Sequence, residues 1–415
     1  MAYHCFQRDA VRFRQDGMQP HRAKKEVETM TSAPILMFSS TMSADMRHVI
    51  THEVHDPFLY IEVDGKRYTA IKSLEAARMR DVDNMTVFPL EELGFDDLRA
   101  SGQGPDLAEL NCLVEACKRT GVTSASVPST FPLGVADHLR AAGIELTVDN
   151  DLFEMRRRVK SPAELAGMRR AQIAAEAGVA HVATQMEAAT VGADGGLLID
   201  GEPLTCEDLK TGIRAAFLRN GCEDAGLIVA HGEQTCIGHH AGSGQIFEGE
   251  PVTVDICPRD TASGGNSDMT RTFVKGEVNE ELATYWRIVK EAFDNTLAAI
   301  RPGLPVAELH RISCEPISNA GFPTQLTKKP GEVLTEGYFH SLGHGIGLEV
   351  HEAPGLGQND AVLVAGDVIA IEPGCYRQGF GGVRLEDIVL VTEDGAELIT
   401  DYPYELTPVA ISRGV

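Results

Sequence analysis

Five side chains of the types that bind metal ions follow one another through the C-terminal part of this 415-residue chain. They are Asp255, Asp268, His344, Glu372 and Glu386. Four carboxylates and one imidazole are typical of a site for divalent cations, whereas a structural zinc ion is usually held by cysteine and histidine. Two neighbouring cations can share a water molecule, lower its pKa and direct it at a carbonyl carbon. The residue types therefore predict a hydrolytic centre with two metal ions.

The sequence around the first two carboxylates predicts strands that bring them together. Val252–Ile256 and Met269–Val274 alternate as strands do, and a turn-rich loop joins them. Asp255 lies between Val254 and Ile256, so its side chain should point away from these apolar residues. Burial of a carboxylate in such a strand is costly unless a partner neutralises its charge, and a bound cation would do so.

The last two carboxylates also lie at or within predicted strands. Glu372 precedes Pro-Gly at the end of one strand. Glu386 follows Arg384 by two residues in another, which predicts that the two side chains share a face of the sheet. This spacing is compatible with a simple cross-strand ion pair, or with an arginine that orients a carboxylate at a metal centre.

The segments that contain these residues resemble the pita-bread metallopeptidases, the family of methionine aminopeptidase, prolidase and aminopeptidase P, with the metal-free creatinase as a relative. The segments are VTVDICP, SDMTRTFV, FHSLGHGIGLEVHE, IAIEPGCY and GGVRLEDIVLV, and the resemblance covers roughly residues 155–405. It implies that Asp255 binds one metal, that Asp268 and Glu386 bridge both, and that His344 and Glu372 complete the other. A hydroxide would bridge the two metals.

The resemblance also assigns roles to residues around the metals. Glu372 would take the proton of the attacking water, and His239 or His351 would help one metal to polarise the scissile carbonyl. His340 and His351 would shape the pocket and shuttle protons, and His240 is the alternative to His239 in the doublet. Two further residues would support the centre: Arg384 would orient a bridging carboxylate, and Thr270 would hydrogen bond Asp268.

A predicted N-terminal domain and the FHSLGHGIGLEVHEAP segment make the chain more similar to aminopeptidase P and prolidase than to methionine aminopeptidase. The resemblance thus implies a short peptide substrate with proline in second position. It also implies Mn²⁺ as the metal, with Co²⁺, Fe²⁺ or Zn²⁺ as alternatives, and a homodimer. Many prolidases grip the substrate carboxylate with an arginine between the third and fourth ligands, and this chain has none between His344 and Glu372. This difference favours an Xaa-Pro aminopeptidase over a strict dipeptidase.

Three other functions on the same fold are alternatives. A metal-free creatinase-type C–N hydrolase or a non-enzymatic binding module would be expected to have lost ligands, yet all five are present here. A lyase of this fold would carry an acidic residue two positions after the first aspartate, where this chain has Cys257. The peptidase is therefore the prediction.

The pattern of elements predicts an α/β (α+β) protein in three parts. Residues 1–33 are predicted to be a disordered tail or the product of an upstream start, with Met30 as the alternative start. Residues 34–157 form a small α/β creatinase-like domain that would wall the site and mediate dimer contacts. Residues 158–415 form the pita-bread domain, in which helix, helix and strands occur twice in that order.

Local signals place most of the elements. Asp64-Gly65 predicts a hairpin between Phe58–Val63 and Lys66–Ile71, and Gly192–Gly201 is predicted to be a connecting loop. The predicted helices are Leu107–Arg119, Leu133–Ala142, a long helix that starts after Ser161 and ends near Ala189, Cys206–Arg219, Asn279–Ile300 and Val306–Ala320. Further strands are predicted at Ile144–Val148 and around residues 340–351, 368–373, 383–392 and 396–400.

Composition narrows the partners and the compartment. The chain has 61 acidic and 37 basic residues and a net charge of −24, which argues against nucleic acid or an anionic membrane as a partner. Nine cysteines occur without paired spacing, as is typical of a reducing cytoplasm. No apolar stretch approaches the ~18 residues of a membrane-spanning helix.

Overall fold

The computed structural model describes residues 33–410. Most of the predicted tail, residues 1–32, lies outside the described residues. Two compact units are present: residues 33–38 with 58–148, and residues 39–57 with 149–410. The predicted boundary between residues 157 and 158 stays a prediction.

The elements are numbered in chain order. The helices are α1 (Ala44–Val49), α2 (Ser73–Met79), α3 (Phe95–Ala100), α4 (Pro105–Thr120), α5 (Leu133–Ala141), α6 (Asn150–Arg158), α7 (Pro162–Ala188), α8 (Cys206–Arg219), α9 (Glu280–Ala299) and α10 (Val306–Asn319). The strands up to the middle of the chain are β1 (Ile35–Ser39), β2 (Phe58–Val63), β3 (Lys66–Ile71), β4 (Met85–Pro89), β5 (Ser124–Val127), β6 (Glu145–Val148), β7 (Thr190–Val191), β8 (Leu197–Ile199), β9 (Glu202–Pro203), β10 (Cys222–His231) and β11 (Pro251–Asp260). The remaining strands are β12 (Met269–Val274), β13 (Glu336–Gly337), β14 (Gly343–Gly345), β15 (Val368–Ile371), β16 (Gly374–Arg377), β17 (Gly381–Arg384), β18 (Asp387–Val391) and β19 (Ala396–Leu398).

The first unit contains a six-stranded sheet in the order β4-β3-β2-β1-β5-β6. The hairpin β2–β3 has the predicted bounds, and Asp64 and Gly65 both have positive φ, as a type I′ turn requires. Helix α4 ends at Gly121, whose φ of 75° permits the left-handed conformation that closes a helix. Side chains from the sheet and from α4 and α5 form one apolar core.

The first half of the second unit begins with the long helix α7. The Ser161 side chain accepts a hydrogen bond from the backbone N–H of Glu164, whose carboxylate accepts one from the Ser161 N–H, so the predicted capping box is confirmed. Helix α8 has the predicted bounds and packs with α7 against the antiparallel sheet β10-β11-β12. Their apolar side chains form one core.

Two predictions in this half were wrong or incomplete. Residues Gly192–Gly201 were predicted to be a connecting loop, but they contain β8, the central strand of a small β7-β8-β9 sheet. Leu197 of β8 is buried in the apolar core that α7 and α8 form with the larger sheet. Strand β10 was not predicted, because its Glu223-Asp224-Ala225-Gly226 start lacks the alternation of a half-buried strand. It pairs with nearly the whole length of β11.

The second half repeats the order of helix, helix and strands with α9, α10 and two sheets, β14-β15-β18-β19 and β13-β16-β17. The strand expected over residues 340–351 is only three residues long (β14). The strand expected over residues 383–392 is interrupted, since β17 ends at Arg384 and β18 begins at Asp387. The predicted hairpin at Asp394-Gly395 is confirmed, because β18 and β19 pair as antiparallel strands. A third apolar core joins these sheets to α9 and α10.

Two further findings concern the cysteines and helices of residues 33–410. The eight cysteines in this range are all free thiols, and all are buried. No helix in this range is both long enough and apolar enough to cross a membrane.

Candidate metal centre

The first two predicted ligands lie on one face of the β10-β11-β12 sheet. Asp255 lies in β11 opposite Thr270 of β12, and Asp268 directly precedes β12. Val254 and Ile256 are fully buried in the core, as the alternation of a strand predicts. The Asp255 side chain therefore points to the other face, where it lines a cavity together with Asp268.

The other three ligands come from the second half of this unit. His344 lies in β14 opposite Ala370 of β15, and Glu372 directly follows β15. Gly343 is required beside His344, because a Cβ there would lie 2.0 Å from the carbonyl oxygen of Ala370. Glu386 lies in the break between β17 and β18, and its side chain is buried.

A bridge of hydrogen bonds joins the two halves at the centre. The N–H of Thr270 donates to the carbonyl of Glu386 at 3.3 Å, and the Glu386 N–H donates back at 3.1 Å. The Thr270 hydroxyl donates to Oε2 of Glu386 at 2.7 Å. Thr270 was predicted to hydrogen bond Asp268, and this was wrong. A hydroxyl has a single proton to donate, and that of Thr270 is donated to Glu386.

Arg384 has a different partner from the one predicted. Its Nη2 donates to Oδ2 of Asp255, its Nε to the Thr270 hydroxyl at 3.3 Å, and its Nη1 to the Tyr376 hydroxyl at 3.1 Å. The strand is interrupted after Arg384, yet the side chains of Arg384 and Glu386 both contact the Thr270 hydroxyl. The guanidinium therefore binds Asp255 directly. It reaches Glu386, which is expected to bridge both metals, only through the Thr270 hydroxyl.

Tyr376 was not predicted from the sequence. Its hydroxyl accepts from Arg384 and lies 2.9 Å from Nε2 of His340, to which it can donate. Nδ1 of His340 then carries the proton and donates to the carbonyl of Ser341 at 2.9 Å. A tyrosine at position +4 from Glu372, on the next strand, was the signal that could have indicated it. Both nitrogens of His340 are thus engaged.

The other histidines differ in their relation to the cavity. His351 lines it, with its ring centroid 4.2 Å from that of His344. His239 also lines the cavity. His240 instead accepts a hydrogen bond from the backbone N–H of Gly242 at 2.9 Å. His340 lies outside the lining, with Nδ1 3.9 Å from Oε2 of Glu372.

Burial and like charge dominate the electrostatics of the cluster. Burial raises the pKa of Glu372 to about 8, with Arg384 opposing the shift and Asp255 adding to it. Burial and neighbouring carboxylates raise the pKa values of Asp268 and Glu386 well above their ordinary range. Carboxylates packed this closely are unfavourable as anions. The charge of a bound divalent cation would offset both their burial and their mutual repulsion.

The imidazole at the centre is neutral. Burial, and secondarily His351, lower the pKa of His344 to about 4. Nε2 of His344 lies 3.7 Å from Oδ2 of Asp268 and 4.0 Å from Oε1 of Glu372. A neutral imidazole with its free nitrogen directed at carboxylates is the form that binds a metal.

Two groups of potential ligands share one residue. Donor atoms of Asp255, Cys257 and Asp268 lie within 4.8 Å of one another, and so do those of Asp268, His344 and Glu386. Asp268 belongs to both groups, which is the arrangement a carboxylate needs to contact two ions. The cavity has a volume of about 280 Å³, and its remaining wall is largely apolar, formed by Ala225, Gly226, Leu227, Ile228 and Val350. The donor set therefore fits a pair of divalent cations.

Comparisons with known proteins agree with this fold. Residues 166–393 match the family model described as metallopeptidase family M24. The chain is 34% identical to the "Probable dipeptidase PepE" of Mycobacterium tuberculosis over 296 residues, 71% of each chain. It is 33% identical to the Xaa-Pro dipeptidase of Pyrococcus horikoshii over 295 residues, 69% of this chain and 75% of the relative. The chain thus belongs to the M24 metallopeptidases.

The solved structures show the same fold. The Xaa-Pro dipeptidase of Bacillus anthracis superposes with a TM-score of 0.71 and 23% identity, over 93% of this chain and 98% of that one. The fold is therefore the predicted one, an N-terminal α/β domain followed by a pita-bread domain, and the prediction of a metal-dependent hydrolase is confirmed at the level of the family.

Proposed function

We propose that this chain is an Xaa-Pro peptidase whose centre holds two divalent ions. The observation that carries the proposal is the position of Asp268, which belongs to both groups of candidate ligands. Asp255 would hold one ion, and His344 and Glu372 the other. Asp268 and Glu386 would contact both. When bound, the ions would supply Lewis-acid chemistry and a water of lowered pKa.

The chain's own side chains would then carry out the proton transfers and the positioning. Glu372 would accept the proton of the attacking water and pass it to the leaving nitrogen. His239 and His351, which line the cavity, would hydrogen bond the scissile carbonyl and the developing oxyanion. Arg384 would hold Asp255 in place, and the hydrogen bonds of His340 support a role in fixing Tyr376.

The substrate would be a short peptide with proline in second position. The name of the relative from Pyrococcus horikoshii supports this, and so does the apolar wall of Leu227, Ile228 and Val350, against which a pyrrolidine ring could pack. No lysine or arginine occurs among the described residues that line the cavity. A carboxylate directly after proline therefore has no cationic partner there, which supports an aminopeptidase over a strict dipeptidase.

The metal, the assembly and the compartment are parts of the same proposal. A ligand set of oxygen and imidazole nitrogen supports Mn²⁺, with Co²⁺, Fe²⁺ or Zn²⁺ as alternatives. A homodimer is proposed from the similarity of the N-terminal segment to creatinase-like proteins, and light scattering would test it. The eight free thiols among residues 33–410 support a cytoplasmic location.

The test is hydrolysis of Ala-Pro and Ala-Pro-Ala by chelator-stripped protein, with and without added Mn²⁺. Metal-dependent release of alanine from both, with the tripeptide cleaved faster, is the expected result, and Ala-Ala-Ala is the control for the proline requirement. Faster cleavage of Ala-Pro would make the chain a dipeptidase. If neither peptide is cleaved while two metals are bound per chain, the substrate proposal fails and the metal centre stands.

A further inference from the structure

The thiol of Cys257 lies inside the cluster of proposed metal ligands. Cys257 follows Asp255 by two residues on β11, so both side chains project from the same face of the sheet. Its Sγ lies 3.2 Å from Oδ1 of Asp268 and donates a hydrogen bond to it. The side chain is only 9% exposed, yet it lines the cavity.

The neighbouring strand leaves space around the sulfur. Gly226 of β10 lies opposite Cys257, directly after an irregularity in the pairing of β10 with β11. A Cβ at Gly226 would lie 3.3 Å from Sγ, closer than most side chains tolerate. Glycine at this position therefore lets the thiol lie between the sheet and the carboxylates.

We propose that Cys257 is a sixth protein ligand of the metal centre and that it selects for thiophilic ions. With Zn²⁺, Co²⁺ or Cd²⁺, Sγ would bind the ion that Asp255 and Asp268 hold, and its proton would leave to solvent as the metal–sulfur bond forms. With Mn²⁺, the thiol would stay protonated and keep its hydrogen bond to Asp268. The proposal depends on the proposed function only in requiring that the centre binds metal.

The physical reason is the contrast between the donor atoms. Carboxylate oxygens suit Mn²⁺, whereas a thiolate prefers softer ions and adds little to the binding of a hard one. With oxygen and imidazole ligands alone, the affinity of the site for divalent ions would mainly follow the general order of complex stability, which rises from Mn²⁺ to Cu²⁺. A sulfur donor at the Asp255–Asp268 end would make one of the two ion positions chemically different from the other.

Metal-binding spectra of the full-length protein test this directly. Chelator-stripped wild type would be titrated with Co²⁺ and, separately, with Cd²⁺, while the ultraviolet thiolate-to-metal charge-transfer bands are recorded. One thiolate band per chain is expected, and Cys257→Ala should abolish it. The control, Cys375→Ala, removes a buried thiol that lies in the core beside α9 rather than in the cavity, and should keep the band.

Affinities provide a second measurement. Cys257→Ala and Cys257→Ser should weaken Zn²⁺ and Cd²⁺ binding by at least the ~10-fold that loss of a group supporting a metal site costs. Both should bind Mn²⁺ within about threefold of wild type, since Mn²⁺ gains little from sulfur. Equal losses for Mn²⁺ and Zn²⁺ would mean that Cys257 acts only through packing, and would overturn the proposal.

The wild-type spectrum is decisive even if a variant does not fold. If two ions bind per chain without a thiolate band, Cys257 is not a ligand and the dinuclear centre stands. If the band persists in Cys257→Ala, another thiol produces it and the proposal fails. If no divalent ion binds at all, the proposed function fails as well.

Discussion

At the scale of single residues, the centre consists of buried polar groups whose hydrogen bonds are mostly made by one another. Arg384 links Asp255, Thr270 and Tyr376. Thr270 in turn holds Glu386. Since buried polar groups are costly when unpaired, such a network keeps the carboxylates of Asp255 and Glu386 in one orientation. The proposed proton transfer, however, depends on Glu372, the carboxylate that directly follows β15.

Glu372→Gln should abolish peptide hydrolysis while the fold is kept. The amide has the shape of the carboxylate but cannot accept the proton of water, and loss of a general base costs about 10²–10⁴ in rate. The measurement is kcat on Ala-Pro-Ala at saturating metal, with bound metal and circular dichroism recorded for the same sample.

Glu397→Gln is the matched control, because Glu397 pairs with Arg169 on the surface, where both side chains are more than 40% exposed. It should retain wild-type activity. Full activity in metal-loaded Glu372→Gln would exclude the proposed proton transfer.

At the scale of elements, short strands and the turns between them place the site. The end of β10 is held by His231, whose Nδ1 lies 2.7 Å from Oε2 of Glu250 and whose Nε2 lies 3.1 Å from the carbonyl of Ser243. This contact closes the segment that carries His239. With acceptors at both nitrogens, the ring is held best as the doubly protonated cation.

His231→Gln should destabilise the protein in a pH-dependent way. The hydrogen bond to Glu250 raises the pKa of His231 above 6.5 in the folded protein. The folded state therefore binds the proton more tightly than the unfolded state, and this stabilisation is complete below pH 6.5 and is lost as pH rises through the raised pKa. We expect a loss of about 1 kcal/mol at low pH, because the Glu250 side chain is partly exposed to solvent.

Urea denaturation at several pH values measures this difference in free energy of unfolding. His55→Gln is the control, since the His55 side chain is 77% exposed and its contact to Glu53 is 3.5 Å long. A His231→Gln effect that is the same at every pH would show that the charge of the ring contributes nothing.

At the scale of the whole molecule, the centre draws its ligands from both halves of the second unit. Asp255 and Asp268 belong to the sheet under α7 and α8, whereas His344, Glu372 and Glu386 belong to the sheets under α9 and α10. An ion held by both sets would therefore cross-link the two halves. The first unit has its own core of buried side chains and contributes none of these five residues.

Bound metal should stabilise the second unit selectively. An ion that binds only the folded state at about 100 times its Kd adds about 2.7 kcal/mol to the free energy of unfolding. Calorimetry of chelator-stripped and Mn²⁺-loaded protein should show the transition of the second unit move to higher temperature, while that of the first unit stays in place.

Asp268→Asn is the comparison variant, because it removes the charge of the residue shared by both ligand groups. Its transition should not respond to Mn²⁺. An equal response in wild type and variant would place the stabilising ion outside the proposed centre.

Much of the architecture was determined by local sequence. The hairpin at Asp64-Gly65, the capping box at Ser161 and the bounds of α8 follow from turn chemistry, capping and periodicity, which act within a few residues. The strand around Asp255 was also predictable, because its apolar neighbours alternate with it. The five candidate ligands could be named from the sequence because each lies in a recognisable segment. That they line one cavity is visible only in the structure.

Tertiary structure decided which of these residues touch. Thr270 bonds Glu386, which is 116 residues away along the chain, and Arg384 bonds Asp255, which is 129 residues away. Neither separation leaves a local signal. Glu386, which lies in the strand break between Arg384 and Asp387, forms an isolated bridge with Thr270. Cys257 contacts Asp268 across the loop that joins β11 to β12. The sequence determined which groups could bind a metal, and packing between distant strands decided which of them meet.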